Sequence, residues 1–571
     1  MDRHRGDGPA TGNKKITITS TTERNLQKRA VRFYFFLLAS VFSGIAYAIT
    51  PGAGTILRDL LDPITQPPAA SPSLDLVAPA ITEGTSGGTE ITVQTISFTG
   101  NTEYTDAALS ALLADAIGKT YDLAALQGLT NRITMHYRSH GAAFSRALLP
   151  AQLMTDGALV IKIIEGRYGS IIATGNDKHR ARAQVFLSKL QTGEVIQSDS
   201  LERAALILED QPGFKVTHLL RPGQEMGTGD LVMNVERDKR YSGTQGLDNH
   251  GSRYTGRWSG SLDLKIYSPF LFGDQLQLNT LYSEEDLWVG ALNYSLPLGG
   301  SGLRANASYT HVNYQLGKEF DSAKLHGTSK IGSIGLSYPI IRSQQTNLSV
   351  TGTYQHKVLI NEDDITPSSN TNSSDSLPIS FNFDHRDQLS GITYGAVRWT
   401  PGNFTIATAN RVIDSSTAKT AGAFNKFKLE LVRQQTLPAN FTLFGRVSAQ
   451  LATNNLDSSE KFGLGGVHGV RAYPSGEAYG DEGVLVQLEM RYTINSFNPY
   501  VFYDAGTLSI NHTTFSAGTN KRSLAGVGLG IRYNMPRWSV DASAARRTIG
   551  TFSDENQADT PAVWVSVKYN F

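Results

Sequence analysis

The stretch GGVHGVRAYPSG, residues 465–476, sets one arginine, Arg471, among four glycines. If this segment folds inward, the guanidinium needs an anionic partner, because an unpaired charge removed from water costs several kcal/mol. Phe502-Tyr503-Asp504-Ala505-Gly506 offers one. Strand alternation puts Phe502 and Asp504 on one face, from which the carboxylate can point inward. The alternative is a solvated loop arginine that pairs with nothing. A second feature is the track Gly526, Gly528 and Gly530, which alternates with Val527, Leu529 and Ile531. With the apolar set facing lipid, the glycines face a lumen and let another backbone approach; a bent or flexible strand is the other reading.

Catalytic constellations are missing from the sequence. Gly118-Lys119-Thr120 ends like a phosphate loop, but GxxxxGK[ST] requires glycine where Leu113 stands. Gly463, Gly465 and Gly469 have the wrong spacing for a dinucleotide fingerprint. There is no GxSxG or HExxH, and the 12 histidines are not clustered like ligands. Without cysteine, thiolate metal sites, thiol nucleophiles and disulfides are excluded. Lys+Arg 52 against Asp+Glu 51 leaves no net field for nucleic acid. The expectation is a chain that is not an enzyme, with no cofactor, metal, nucleotide or nucleic-acid partner.

The elements that position Arg471 follow from periodicity. Lys28, Arg29 and Arg32 precede an apolar run, Phe33 to Ala46, and Ala46-Tyr47-Ala48 follows it. At about 14 apolar residues the run is short for a bilayer helix, so residues 1–48 read as a secretory signal with a long basic leader, an anchor helix being the alternative. Thr55 to Leu61, with Ile56, Leu57, Leu60 and Leu61, predicts a short amphipathic helix within 49–62, and 63–90 has linker chemistry.

From Ile91 the pattern is mixed α and β. Ile91 to Phe98 predicts a strand, Thr105 caps a helix to Ile117, and Leu123, Leu126, Leu129, Ile133 and Tyr137 mark a second helix. Leu159, Ile161 and Ile163 alternate on a closing strand. Thr99-Gly100-Asn101 then recurs as Thr174-Gly175-Asn176, followed by a helix over Leu201 to Leu208 and a closing strand with Leu231, Met233 and Val235. Two tandem copies of one module, 91–166 and 167–239, explain the recurrence.

Residues 240–571 alternate apolar and polar, as in Leu262, Leu264 and Ile266 against Asp263 and Lys265. A soluble sandwich gives the same alternation. The last stretch decides for a membrane barrel: Val563, Val565, Val567, Tyr569 and Phe571 share one face, with Tyr569 and Phe571 as the closure and assembly signal. Roughly 330 residues at about 20 per strand and connection predict about 16 antiparallel strands.

Val470-Arg471-Ala472-Tyr473 resembles the VRGY loop, and Phe502-x-Asp504-x-Gly506 the FxDxG strand, of the two-partner secretion transporters in the Omp85 superfamily. Tyr137-Arg138-Ser139-His140-Gly141 and Leu149-Pro150-Ala151-Gln152 are similar to that family's first periplasmic module, and Leu201-Glu202-Arg203-Ala204 with Pro212-Gly213 to its second. Asp248 to Tyr254 is similar to the opening barrel strand. The resemblance implies a plug helix, two α+β POTRA modules and a 16-stranded outer-membrane barrel, with Arg471 paired to Asp504 in a wet lumen that weakens the pair. It implies export of one large β-rich exoprotein of haemolysin or adhesin type, bound unfolded by the POTRA modules. Outer-membrane lipid and the barrel assembly machinery are its other implied partners. An assembly factor for many barrels, or a passive porin or receptor, are the alternatives. Ala472 departs from the family glycine, which predicts a different backbone there if the position needs positive φ.

Overall fold

The computed structural model describes residues 52–61, 87, 89–552 and 561–571. The expected secretory signal, residues 1–48, and most of the expected linker, 63–90, lie outside the described residues.

The first module has a three-stranded sheet in which Thr95–Thr99 runs parallel to Ala158–Ile164, which pairs antiparallel with Arg146–Leu148. Helix Leu123–Ser139 starts where Asp122 accepts a hydrogen bond from Ala125 N. Its buried stripe of Leu126, Leu129, Ile133 and Tyr137 packs with Leu159, Ile161 and Ile163. Leu123, the first residue of the helix, is 49% exposed and lies outside that buried stripe. Two further local expectations change. Ile91–Thr92 leaves the main sheet to pair with Thr120–Tyr121. The Thr105-capped helix ends at Leu112, and a 3-10 turn, Ala114–Ala116, follows.

The second module repeats the plan. Arg167–Gly175 runs parallel to Thr228–Arg237, which pairs with Phe214–Pro222. Helix Ser198–Glu209 buries Leu201, Ala204, Ala205, Ile207 and Leu208 on this sheet. The repeated tripeptide has a shared physical cause. Gly100 has φ +83° and Gly175 φ +127°, and a Cβ at either would strike a closing-strand carbonyl, Ile163 O or Val235 O respectively.

Sixteen antiparallel strands close the barrel. In chain order they are β1 (Tyr241–Asp248), β2 (Ser259–Tyr267), β3 (Gln275–Ser283), β4 (Trp288–Pro297), β5 (Arg304–Gln315) and β6 (Leu325–Arg342). Then come β7 (Thr346–Asp363), β8, β9 (Gly391–Thr405), β10 (Gly422–Thr436), β11 (Phe441–Ala452) and β12 (Glu482–Tyr492). Last are β13 (Phe497–Ser509), β14 (Lys521–Asn534), β15 (Trp538–Ile549) and β16 (Ala562–Asn570). Strand β8 has two segments, Ser368–Ser376 and Ile379–Arg386. They count as one strand because both pair with β7 on one side and β9 on the other. Closure lets every spanning strand find partners on both sides, which the bilayer requires.

Short turns lie at the end facing the second module, which docks on them. Arg203 donates to Pro339 O at 2.6 Å and Ile340 O at 3.1 Å, and Arg342 pairs with Asp210 at 2.7 Å. Aromatic pairs gather at this same end: Trp538 with Tyr569, Phe497 with Tyr533, and Phe441 with Tyr492. They form one interfacial girdle.

Candidate functional site: an arginine loop folded into the barrel

The segment between β11 and β12 starts at the end opposite the modules and turns back into the lumen. Phe462–Gly463 pairs with Tyr479–Gly480 to make its stalk. Backbone bonds from Gly466 N to Tyr473 O and from Tyr473 N to Val470 O, both 3.0 Å, fix its tip. Val470, Ala472 and Tyr473 are buried among Leu464, Leu485, Tyr500, Phe502 and Leu508.

Arg471 and Asp504 meet. The guanidinium donates from Nε to Asp504 Oδ2 at 2.8 Å and from Nη2 to Oδ1 at 2.7 Å, a bidentate fork. The Arg471 backbone N–H adds a third bond to Oδ2 at 3.1 Å. Phe502 lies flat beneath, 3.6 Å from guanidinium carbon to ring centroid, so the two FxDxG residues on one face both serve the arginine. The wet-lumen expectation does not hold. The side chains are 5% and 1% exposed, because loop and wall close over them.

The glycine track has a steric role. A Cβ on Gly526 would meet Ala472 Cβ, one on Gly528 the Phe502 ring, and one on Gly530 the Tyr500 ring. Gly506 similarly leaves room for Leu464. Ala472 is not among the residues with positive φ, so the position does not require glycine, and its methyl group fills the space at Gly526.

Several contributors were not singled out from the sequence. Glu489 on β12 accepts from Arg471 Nη1 at 2.6 Å and also pairs with Arg491 and Arg532. Trp564 on β16 donates its indole N–H to Arg471 O at 2.7 Å. Gln487 donates to Gly469 O, and Arg446 to His468 O. The available signal was period two: Gln487, Glu489 and Arg491 form a polar row against Val486, Leu488 and Met490. Tyr569 and Phe571 lie at the seam between β16 and β1, where Phe571 exchanges backbone hydrogen bonds with Gly243.

Helix Ala53–Leu61 begins two residues before the sequence expectation. Ile56 and Leu57 are buried and Leu60 packs at the edge, against inward-facing Val312, Tyr314, Leu359, Phe404 and Phe424; the Leu61 side chain lies outside the description. Asn361 accepts from Ala53 N at 2.8 Å, and Ser329 donates to Ala53 O at 3.0 Å. The Arg58 guanidinium stacks on Tyr479 of the loop stalk at 3.9 Å. These contacts are all non-covalent; among the described residues no three His, Cys, Asp or Glu side chains gather as for a metal.

Comparison with known proteins agrees with this architecture. Residues 91–166 match the ShlB-type POTRA domain. The heme/hemopexin transporter protein HuxB of Haemophilus influenzae (strain 86-028NP) is 27% identical over 487 residues, covering 82% of this chain and 85% of HuxB. The outer membrane transporter CdiB of Escherichia coli is 24% identical, covering 78% of each chain. The structure of CdiB from Escherichia coli superposes with a TM-score of 0.70 at 21% identity, covering 86% of this chain and 93% of that one. Residues 227–533 match the haemolysin secretion/activation protein ShlB/FhaC/HecB family. The chain therefore belongs to that family, as an outer-membrane barrel of two-partner secretion with its POTRA modules in the periplasm.

Proposed function

We propose that this chain exports one large β-rich exoprotein from the periplasm to the cell surface. The observation that carries the reading is a barrel whose lumen holds two non-covalently seated segments, the arginine loop and helix Ala53–Leu61. Tandem modules stand at the opposite mouth. The named cargo of HuxB, heme/hemopexin, and the hemolysin of the transporters HpmB and ShlB belong to those relatives. For this chain the proposed cargo class is an unfolded exoprotein of haemolysin or adhesin type. Its extended segments add to an edge strand of a POTRA sheet, where backbone hydrogen bonds give affinity with little sequence demand. The helix acts as a plug that leaves before passage, and folding outside biases movement outward.

A second reading, an assembly factor for many barrels, draws on the short β1–β16 joint, which has five paired positions. The deciding experiment compares proteins released by the host with and without this chain, by mass spectrometry, beside its outer-membrane fraction. Loss of one large exoprotein with other barrels at normal levels is the expected result. A broad fall in outer-membrane proteins would overturn export in favour of assembly.

A further inference from the structure

At the junction of the second module and the barrel, a cavity of about 520 Å³ is lined by His179, Arg237 and Arg240 together with Ile266, Tyr267 and Pro269. Arg237 donates one Nη2 bond to Tyr267 O at 2.7 Å, but its Nε–H is buried without an acceptor. Arg240 makes no side-chain ion pair or hydrogen bond among the described residues, although its carbonyl accepts from Tyr267 N. Asp274 is the carboxylate whose charge acts on Arg237; it is fully buried, its Oδ2 accepts from the Tyr294 hydroxyl at 2.7 Å and Phe270 N at 3.3 Å, and its Oδ1 has no donor, so it bonds to neither arginine. Arg240 therefore brings a charge with no counter-ion to the cavity lining, where an incoming anionic acceptor can meet it.

The surroundings say what carries that acceptor. Ile266 ends the apolar column begun by Leu262 and Leu264, and it pairs across the strands with Tyr241, which is 61% exposed at the girdle. The next turn pushes Phe270 and Leu271 outward, 74% and 47% exposed. Cations thus sit directly beside an apolar, lipid-facing edge, and two guanidiniums suit a phosphate group by charge and by donor geometry. We propose that this cavity binds the phosphate headgroup of an anionic phospholipid from the periplasmic leaflet, with the acyl chains lying along Ile266, Phe270 and Leu271. The site clamps the second module to the membrane surface, and it depends on the barrel fold rather than on any cargo.

The test uses the full chain in detergent micelles, mixed with dioleoylphosphatidylglycerol and examined by native mass spectrometry. One retained lipid is expected, with dioleoylglycerol, which has the same chains and no phosphate, not retained. Arg240→Gln, a substitution at an exposed unpaired side chain, should lower retention roughly tenfold, as loss of one charge-assisted contact would. Phe270→Ser with Leu271→Ser should lower it too, while the barrel stays heat-modifiable. Equal retention by Arg240→Gln and the unaltered chain would mean a non-specific annulus and overturn the proposal. Displacement of the lipid by inorganic phosphate alone would overturn the lipid as its source.

Discussion

Arg471 satisfies Asp504 with three hydrogen bonds in a space where the carboxylate is 1% exposed. Removing Arg471 strands Asp504, at about 3–5 kcal/mol for a buried pair, whereas removing Asp504 leaves Arg471 its bond to Glu489 and costs less. Arg471→Ala and Asp504→Ala are each expected to leave an inserted, heat-modifiable barrel that exports poorly. The double mutant should export no worse than the poorer single, because partners in one interaction are non-additive. Additive losses would sink the pairing. Arg471→Lys should fail almost as badly, since one ammonium cannot supply the fork to Asp504, the bond to Glu489 and the flat stack on Phe502 together. Gly526→Ala tests the loop seat from the other side. Its new methyl group collides with Ala472 Cβ, whereas the Ala472 Cα stands 3.6 Å away, so adding Ala472→Gly should restore part of the lost export. The carbonyl of Arg546, 3.0 Å from the added Cβ, keeps the rescue partial. No rescue at all would separate the glycine from the loop.

Two elements join weakly enough to be informative. β16 and β1 pair over five positions, from Ser566↔Asp248 to Asn570↔Thr244, and Asn249 lengthens the joint by bonding Val563 O and Val565 N through its side chain. Phe571 and Gly243 exchange both backbone bonds, which makes the neighbouring Asn570↔Thr244 a non-hydrogen-bonded pair, where side chains come closest. The chain has no cysteine, so Thr244→Cys with Asn570→Cys should form one unambiguous disulfide on oxidation. Export through the lumen predicts normal secretion with the joint locked; a block that dithiothreitol relieves would show that the joint must open. The module junction relies on Glu165, 5% exposed, which accepts from Thr102 N, Glu103 N, Tyr137 Oη and Arg167. Burial alone would raise its pKa, but the bonds from Glu103, Thr102 and Arg167 outweigh burial and hold it below the ordinary value. A depressed carboxylate stabilises the fold fully above its unfolded pKa, and that contribution is lost as pH falls through the folded one. A fragment spanning 89–239 should therefore lose urea resistance as pH drops below about 4.3, the ordinary glutamate value. Glu165→Gln should remove that part of the pH dependence and cost about 1–2 kcal/mol at neutral pH, since Arg167 is a third exposed and is not left as a buried charge. A pH profile identical to that of the unaltered fragment would remove Glu165 from the account.

For the molecule as a whole, what was legible in the sequence was whatever repeats with a fixed period. Period two gave the barrel and put Asp504 on the inward face, and the repeated Thr-Gly-Asn gave the tandem modules because both glycines must clear a closing-strand carbonyl. What was not legible depends on contacts between distant segments. Glu489 and Trp564 read as ordinary strand residues until the fold brings them to one loop, and closure of loop and wall over the arginine, which excludes water, has no local signature. Helix Ala53–Leu61 shows the same limit: its apolar stripe predicts a helix but not the lumen-facing Leu359, Phe404 and Phe424 that receive it. Its seat suggests the last test. Leu57 is fully buried, so Leu57→Asp places a carboxylate among these side chains at a cost of several kcal/mol, while leaving the helix free to withdraw. A penalty of about 3 kcal/mol shifts the seated-to-withdrawn ratio roughly a hundredfold. Single-channel recordings in planar bilayers should then show a larger and steadier conductance for Leu57→Asp, with Leu57→Met as the volume-matched control. Unchanged conductance in Leu57→Asp would mean that the helix does not close the pore, and that the arginine loop alone sets its bore.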